Sequence, residues 1–300
     1  MSTRPFAFAT EPLESRLHLS TSLNSKGVLY ILGTSKNDAL SVYLATGNTN
    51  SIEVSDRGVK TQFPGASVTQ VIFQGFSGDD TITVSNVNGR FSKPTKIYGG
   101  AGSDVIQGGG TRDRVYGGTG NDVIRGGGGH DILYGEFGRD TIQGENGKDY
   151  IDGGEDTDNL EGNADNDRLF AGIGNGNLLR GNSGNDTLFG GAEGDTIFGG
   201  AHDDVIDGGA GGDFLNGEDG NDTIHGGAGA DFIQGGNGDD DLFGDADNDT
   251  VWGNDGEDDL TGGDGIDSLD GLAGNDDYLD TPEQGGAFPG EDDGPNANPD

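Results

Sequence analysis

Between Gly99 and Leu279 the chain repeats itself every nine residues, and this repeat limits what it can fold into more than any other feature. It opens GGAGSDVIQ, GGGTRDRVY, GGTGNDVIR, GGGGHDILY and runs through GGAGGDFLN and GGAGADFIQ to GLAGNDDYL. Twenty units can be counted, with one extra residue in AGIGNGNLLR, Ala171 to Arg180. The first position is glycine in every unit except Ala171, and the sixth is aspartate in every unit but that same one. The eighth is Val, Ile or Leu in all but the last, where it is Tyr278. Glycine-rich composition alone does not hold three chemistries in fixed phase over this length.

Each unit divides into two halves. GGxGxD is a turn: its glycines reach backbone angles closed to other residues and let carbonyls crowd towards one point, where the aspartate adds a carboxylate. The remaining xUx is a strand of about three residues, with one apolar side chain facing one way and its neighbours the other. One such unit has nothing to bury its apolar residue against, whereas stacked copies do, so the repeat predicts a solenoid. Two nonapeptides make one coil, turn–strand–turn–strand, giving two parallel sheets with an aliphatic column between them. Ten coils at about 4.8 Å make a rod of about 48 Å.

Charge is in phase with the repeat. Residues 1–98 hold nine basic and seven acidic residues, whereas 99–300 hold seven basic and forty-seven acidic ones, and no Lys or Arg follows Arg180. A compact rod of that charge repels itself. The thin aliphatic column does not offset the ordering of so many glycines. Without metal, the composition reads as disordered chain. With divalent ions bound at the turns, the phase of aspartate and aliphatic residues reads as the solenoid.

GGxGxDxUx resembles the calcium-binding repeat of the RTX (repeats-in-toxin) family, and the resemblance covers about 60% of the chain. It implies an all-β fold, the parallel β-roll, with calcium held between each turn and the turn two repeats further on. The first and third carbonyls and the aspartate of one turn would share an ion with the second and fourth carbonyls and the aspartate of the next. Carried onto this sequence, the ligands are Asp104, Asp113, Asp122, Asp131, Asp140, Asp149, Asp158, Asp167, Asp186, Asp195, Asp204, Asp213, Asp222, Asp231, Asp240, Asp249, Asp258, Asp267 and Asp276. They pair Asp104 with Asp122, Asp113 with Asp131, and so on to Asp258 with Asp276. Turn glycines such as Gly99, Gly100, Gly102, Gly117, Gly118, Gly120, Gly208, Gly209, Gly211, Gly226, Gly227 and Gly229 supply carbonyls. Oxygen-only ligation suits a hard cation such as calcium. The unit Ala171 to Arg180 puts Gly176 and Asn177 where the aspartate belongs. Its same-side neighbours, with Asp158 and Asp195, are each expected to lose a shared ligand, leaving about sixteen sites and a weak seam. The alternative is an extra residue absorbed as a harmless bulge in a turn.

Outside the repeats, four sections are expected: an export-like segment at 1–24, a β-rich capping section at 25–98, the roll at 99–280, and a disordered acidic tail at 281–300. Strands are read at VLYILG, LSVYLA, SIEV, VTQVIF and TITVSNV. Section 25–98 caps the first coil or continues it with wider loops; a small independent sandwich is the competing view. Two of its stretches, GTSKNDALS and GFSGDDTIT, are degenerate copies of the nonapeptide; Asp38, Asp79 and Asp80 are candidates for calcium but, as isolated copies, are read as turn aspartates. The run EPLESRLHLS (Glu11 to Ser20) resembles a short motif, ExLExRxLLS, of large exported proteins of planctomycete-type bacteria, with His18 departing from the usual leucine.

Enzymatic signals are missing. The four histidines are scattered, there is no HExxH and no GxSxG, so the zinc protease and lipase found beside such repeats elsewhere are not expected. The chain has no cysteine, no apolar run long enough to span a membrane, and an acidity that disfavours nucleic acid. Ninth positions of even-numbered units read Tyr116, Tyr134, Asp152, Phe170, Phe189, Asp207, His225 and Phe243, so one sheet is expected to carry more aromatics. Those rings either stiffen the sheet or touch a glycan or the cell envelope. The expected function is a secreted, non-enzymatic calcium-binding β-roll that folds on calcium outside the cell. A cell-surface adhesin or matrix component, or the detached repeat part of an RTX protease, lipase or toxin, are the alternatives.

Overall fold

A computed structural model describes residues 20–278 apart from 46–47, 57–58, 87 and 89–90. The export-like segment up to residue 19 and the acidic tail at 281–300 lie outside the described residues. The chain is all-β, and over the repeats it winds as a parallel β-solenoid of about ten turns. Among the described residues there is one 3-10 turn, Gly65–Ser67, upstream of the repeats, and no α-helix.

Each nonapeptide gives one strand, and alternate strands fall on opposite sheets of fourteen strands each. Most of these strands span six residues, as in Phe214–Asp219, rather than the three expected. The chain corners at the first glycine and goes on pairing beyond it: the register pairs Asn216 with Gln234, passes over the glycine, and resumes at Glu218 with Gly236. Neighbours are parallel and eighteen residues apart, so every residue stacks on its own repeat position one coil on. Eighth-position side chains therefore form two facing columns. Ile106, Ile124 and Ile142 belong to one and Val115, Leu133 and Ile151 to the other, all fully buried.

The N-terminal strands are β1 (Ser20–Leu23), β2 (Val28–Leu32), β3 (Ala39–Ala45), β4 (Asn48–Asp56), β5 (Val59–Pro64), β6 (Gln70–Ser77), β7 (Thr81–Val84), β8 (Thr95–Ala101) and β9 (Val105–Gln107). They join the same two sheets, through β2-β6-β8 in one and β3-β7-β9 in the other. At the outer edges the pairing turns antiparallel, with β1 on β2, and β4 and β5 beyond β3. The sequence pattern misses β5 because VKTQFP is largely exposed and alternates nothing; it is held to β4 by backbone pairing, with Lys60 on Glu53 at 2.7 Å.

At the irregular unit the sheet is unbroken. Leu160 pairs with Leu179 and Leu179 with Ile197, in step with the rest. The extra residue is taken up in the turn before Asn177, where Gly176 sits at φ +78°.

Outward side chains stack as well. Tyr98, Tyr116, Tyr134, Tyr150, Phe170 and Phe189 form one run of rings, with centroids 4.8–5.8 Å apart. A shorter run on the other sheet joins Phe198, Phe214, Phe232 and Trp252. The ninth positions alone hide this second run. Phe214 and Phe232 are seventh-position residues, and positions seven and nine face the same way on a strand.

Candidate metal centres

The turn 208–213 shows how the sequence builds a site. Gly209 and Gly211 lie at φ +95° and +139°, where a side chain is strained, and the same positions elsewhere agree: Gly100 and Gly118 at +119°, Gly227 at +101°, Gly102 at +130°, Gly120 at +119° and Gly229 at +132°. The first glycine is needed for a different reason, since its φ is ordinary. A Cβ on Gly208 would lie 2.6 Å from both Asp213 Oδ2 and Gly226 O, and one on Gly126 would lie 2.6 Å from Asp131 Oδ2 and 2.8 Å from Gly144 O. Gly99, Gly117 and Gly226 leave the same space beside Asp104, Asp122 and Asp231. The missing side chain thus opens a cradle between an aspartate and the first carbonyl of the next coil.

The aspartates form two ladders. In one, the backbone N–H of Asp104 donates to Asp122 Oδ1 at 2.7 Å, and the same bond links Asp122 to Asp140 and Asp140 to Asp158; beyond the irregular unit the ladder runs Asp195, Asp213, Asp231, Asp249, Asp267. The other runs Asp113, Asp131, Asp149, Asp167, Asp186, Asp204, Asp222, Asp240, Asp258, Asp276. The structure therefore brings the paired aspartates together, coil upon coil. Asp267 and Asp276 end their ladders half-buried.

One carboxylate oxygen per rung is engaged in this way, and the other is not. Sixteen repeat aspartates, Asp104 and Asp122 to Asp258 with the exception of Asp113, hold a buried Oδ2 with no hydrogen-bond partner. A buried anionic oxygen left without a partner is costly. Burial pushes Asp122 and Asp140 up to about 7 and Asp131, Asp167, Asp204 and Asp240 up to about 8, with neighbouring carboxylates adding to the rise. Backbone N–H donors oppose it and lose. Asp113 differs because its Oδ2 accepts from Gly109 N at 2.6 Å and its Oδ1 from Thr95 Oγ1 at 2.6 Å.

Residues and cation fit. Every donor is a hard oxygen, the carboxylates carry the charge, and the cradle is enclosed by backbone. Among the described residues no three acidic or histidine side chains converge on a point. The histidines stand apart: Lys148 N donates to His130 Nδ1, and His225 pairs with Asp245.

The irregular unit is the exception. Asn177 takes the aspartate's rung, its Oδ1 accepting from Asp158 N and its N–H donating to Asp195 Oδ1. Its Nδ2 donates to Gly174 O at 3.1 Å, where other rungs leave an oxygen unpartnered, and Ala171 brings a methyl to the position that glycine leaves bare. Asp158 and Asp195 keep their own orphaned Oδ2 atoms. Sequence alone does not show which of Gly176 and Asn177 inherits the rung.

A parallel β-roll whose turns stack aspartates against backbone carbonyls defines the class of protein. The family described as the RTX calcium-binding nonapeptide repeat (4 copies) matches in seven stretches, from 96–124 to 252–279, which leave out only residue 179 of that span. The chain belongs to this family, whose nonapeptide repeats bind calcium. No curated protein matches the chain. Among the described residues no helix is long and apolar enough to cross a membrane.

Proposed function

We propose that the chain is a secreted, non-enzymatic calcium-binding β-roll that folds when it meets calcium outside the cell. The observation that carries this reading is the set of sixteen buried carboxylate oxygens without a partner, each beside a cradle kept open by glycine. The ladder aspartates hold calcium, with carbonyls of turns such as 99–102, 117–120, 208–211 and 226–229 completing the sets. Bound calcium neutralises the facing carboxylates, and about sixteen ions give each coil a reason to stack. Affinities in the millimolar class suit extracellular rather than cytosolic calcium. In this reading 25–98 caps the roll formed by 99–280, between the export-like 1–24 and the acidic tail 281–300. Fractionation of the native host tests the location, with folded protein expected outside the cell. Folded protein in the cytosol contradicts it.

The aromatic runs favour a structural part over glycan capture. Rings stacked at about 5 Å cover one another's faces, leaving mostly edges for a sugar. Lys96 over Tyr98 and Tyr116, and Arg168 over Phe170, occupy part of what remains.

A further inference from the structure

We propose that the turn Gly75–Asp80, upstream of every stretch that matches the repeat family, forms one more calcium site with the turn Gly99–Asp104. The family match begins at residue 96, and the sequence of this turn, GFSGDD, reads as a lone degenerate copy. Its stacking is nonetheless that of a repeat. β6 pairs with β8 so that Phe76 lies on Gly100 and Ser77 on Ala101, and β7 pairs with β9 so that Thr81 lies on Val105. The offset is twenty-four residues instead of eighteen, because the connection from β7 to β8 holds more residues than those between repeats.

The same bonds recur atom for atom. Asp80 N donates to Asp104 Oδ1 at 2.7 Å, as Asp104 N does to Asp122 Oδ1. Val105 N donates to Asp80 O at 2.8 Å, as Val123 N does to Asp104 O. A Cβ on Gly75 would fall between Asp80 Oδ2 and Gly99 O, just as one on Gly99 would fall between Asp104 Oδ2 and Gly117 O. Asp80 is 1% exposed, and its Oδ2 is buried without a partner. That oxygen points into the cradle and nothing among the described residues answers it.

One rung earlier the pattern closes. Asp38 N donates to Asp80 Oδ1, but Asp38 Oδ2 accepts from Thr34 N at 2.6 Å and Thr34 Oγ1 at 3.0 Å. A threonine's two donors satisfy the carboxylate there, as Gly109 and Thr95 satisfy Asp113 in the other ladder. Asp79 faces outward and accepts from Ser103 N. The ladder therefore ends at Asp38, and its first open cradle is that of Asp80. An ion there ties the capping section to the roll.

This inference rests on the reading that the repeat cradles take calcium, and the test separates the two. Crystals of the full chain grown with calcium and exchanged into terbium would be examined for anomalous difference peaks. A peak between 75–80 and 99–104, besides those of the repeats, is expected. Peaks in the repeats alone overturn this site and leave the repeat reading intact, and an absence of peaks in any turn overturns both. In solution, Asp80→Asn mimics the self-satisfied Asn177. It should raise the calcium midpoint for hydrogen-exchange protection of 70–84 at least about tenfold while leaving that of 223–260 unchanged. Equal midpoints for 70–84 in both chains overturn the proposal.

Discussion

Acid should stand in for calcium. In the metal-free roll burial pushes fourteen of the ladder carboxylates, Asp122, Asp131, Asp149 and Asp204 among them, up to about 6 to 8 from the 3.8 of a free aspartate. A group whose folded value is raised favours the folded state below its unfolded value and loses that contribution as pH rises through the folded one. Each unit of pH between about 4 and 7 thus destabilises the metal-free roll by up to about 1.4 kcal/mol per carboxylate. Water entering the turns screens this strongly. Even a tenth of it, over these fourteen carboxylates, is about 2 kcal/mol per pH unit, enough over two units to rival much of an ordinary domain's stability. Calcium-stripped chain should therefore show little β-signal in far-UV circular dichroism at pH 8 and recover it as the pH falls to 5, still above the sequence pI of about 4.1. Sedimentation on the same samples would show that the recovered species is monomeric. A stripped chain equally β-rich at pH 8 and pH 5, or unfolded at both, refutes the view that carboxylate repulsion is what calcium relieves.

Other expectations follow from single positions. Gly126→Ala puts a methyl into the cradle of Asp131 and should raise the calcium midpoint severalfold with a loss of about 1–3 kcal/mol. Gly128→Ala, whose Cβ would meet only Gly110 Cα at 3.8 Å, should change stability by less than about 0.5 kcal/mol, and equal effects in the two variants would refute the cradle. At limiting calcium, trypsin should cut first at Arg168 and Arg180, releasing an acidic fragment that begins near Gly181; cleavage just as early at Arg125, Arg139 and Lys148 would show that there is no seam. Asn177→Asp alone should not protect those bonds, because the Ala171 methyl still fills the space, whereas Ala171→Gly with Asn177→Asp should. Tyr134→Ala should cost about 1 kcal/mol beyond its lost area, read as a higher calcium midpoint without loss of the fold.

Much of this molecule was legible because one coil repeats the last. Phase alone placed Ile106, Val115 and their successors in the core and brought Asp104 onto Asp122, since stacking at eighteen residues puts like on like. The pairing of Asp80 with Asp104 was hidden because its offset depends on the length of a connection, and a sequence period has no access to that. Asn177 was hidden because a ten-residue unit offers two candidates for one rung, and only the register of Leu179 with its neighbours decides between them. The hairpin of β4 and β5 was harder still, for its outer strand lies on the sheet edge with almost nothing to bury.

The central claim is that calcium in the turns makes the fold. Equilibrium dialysis against calcium at pH 8, with circular dichroism on the same samples, tests it most directly. About sixteen ions or slightly more should bind per chain in one steep step that coincides with the gain of β-signal, and magnesium at the same concentration should produce neither. A full β-signal in excess chelator, or a fold completed with only a few ions bound, contradicts the account.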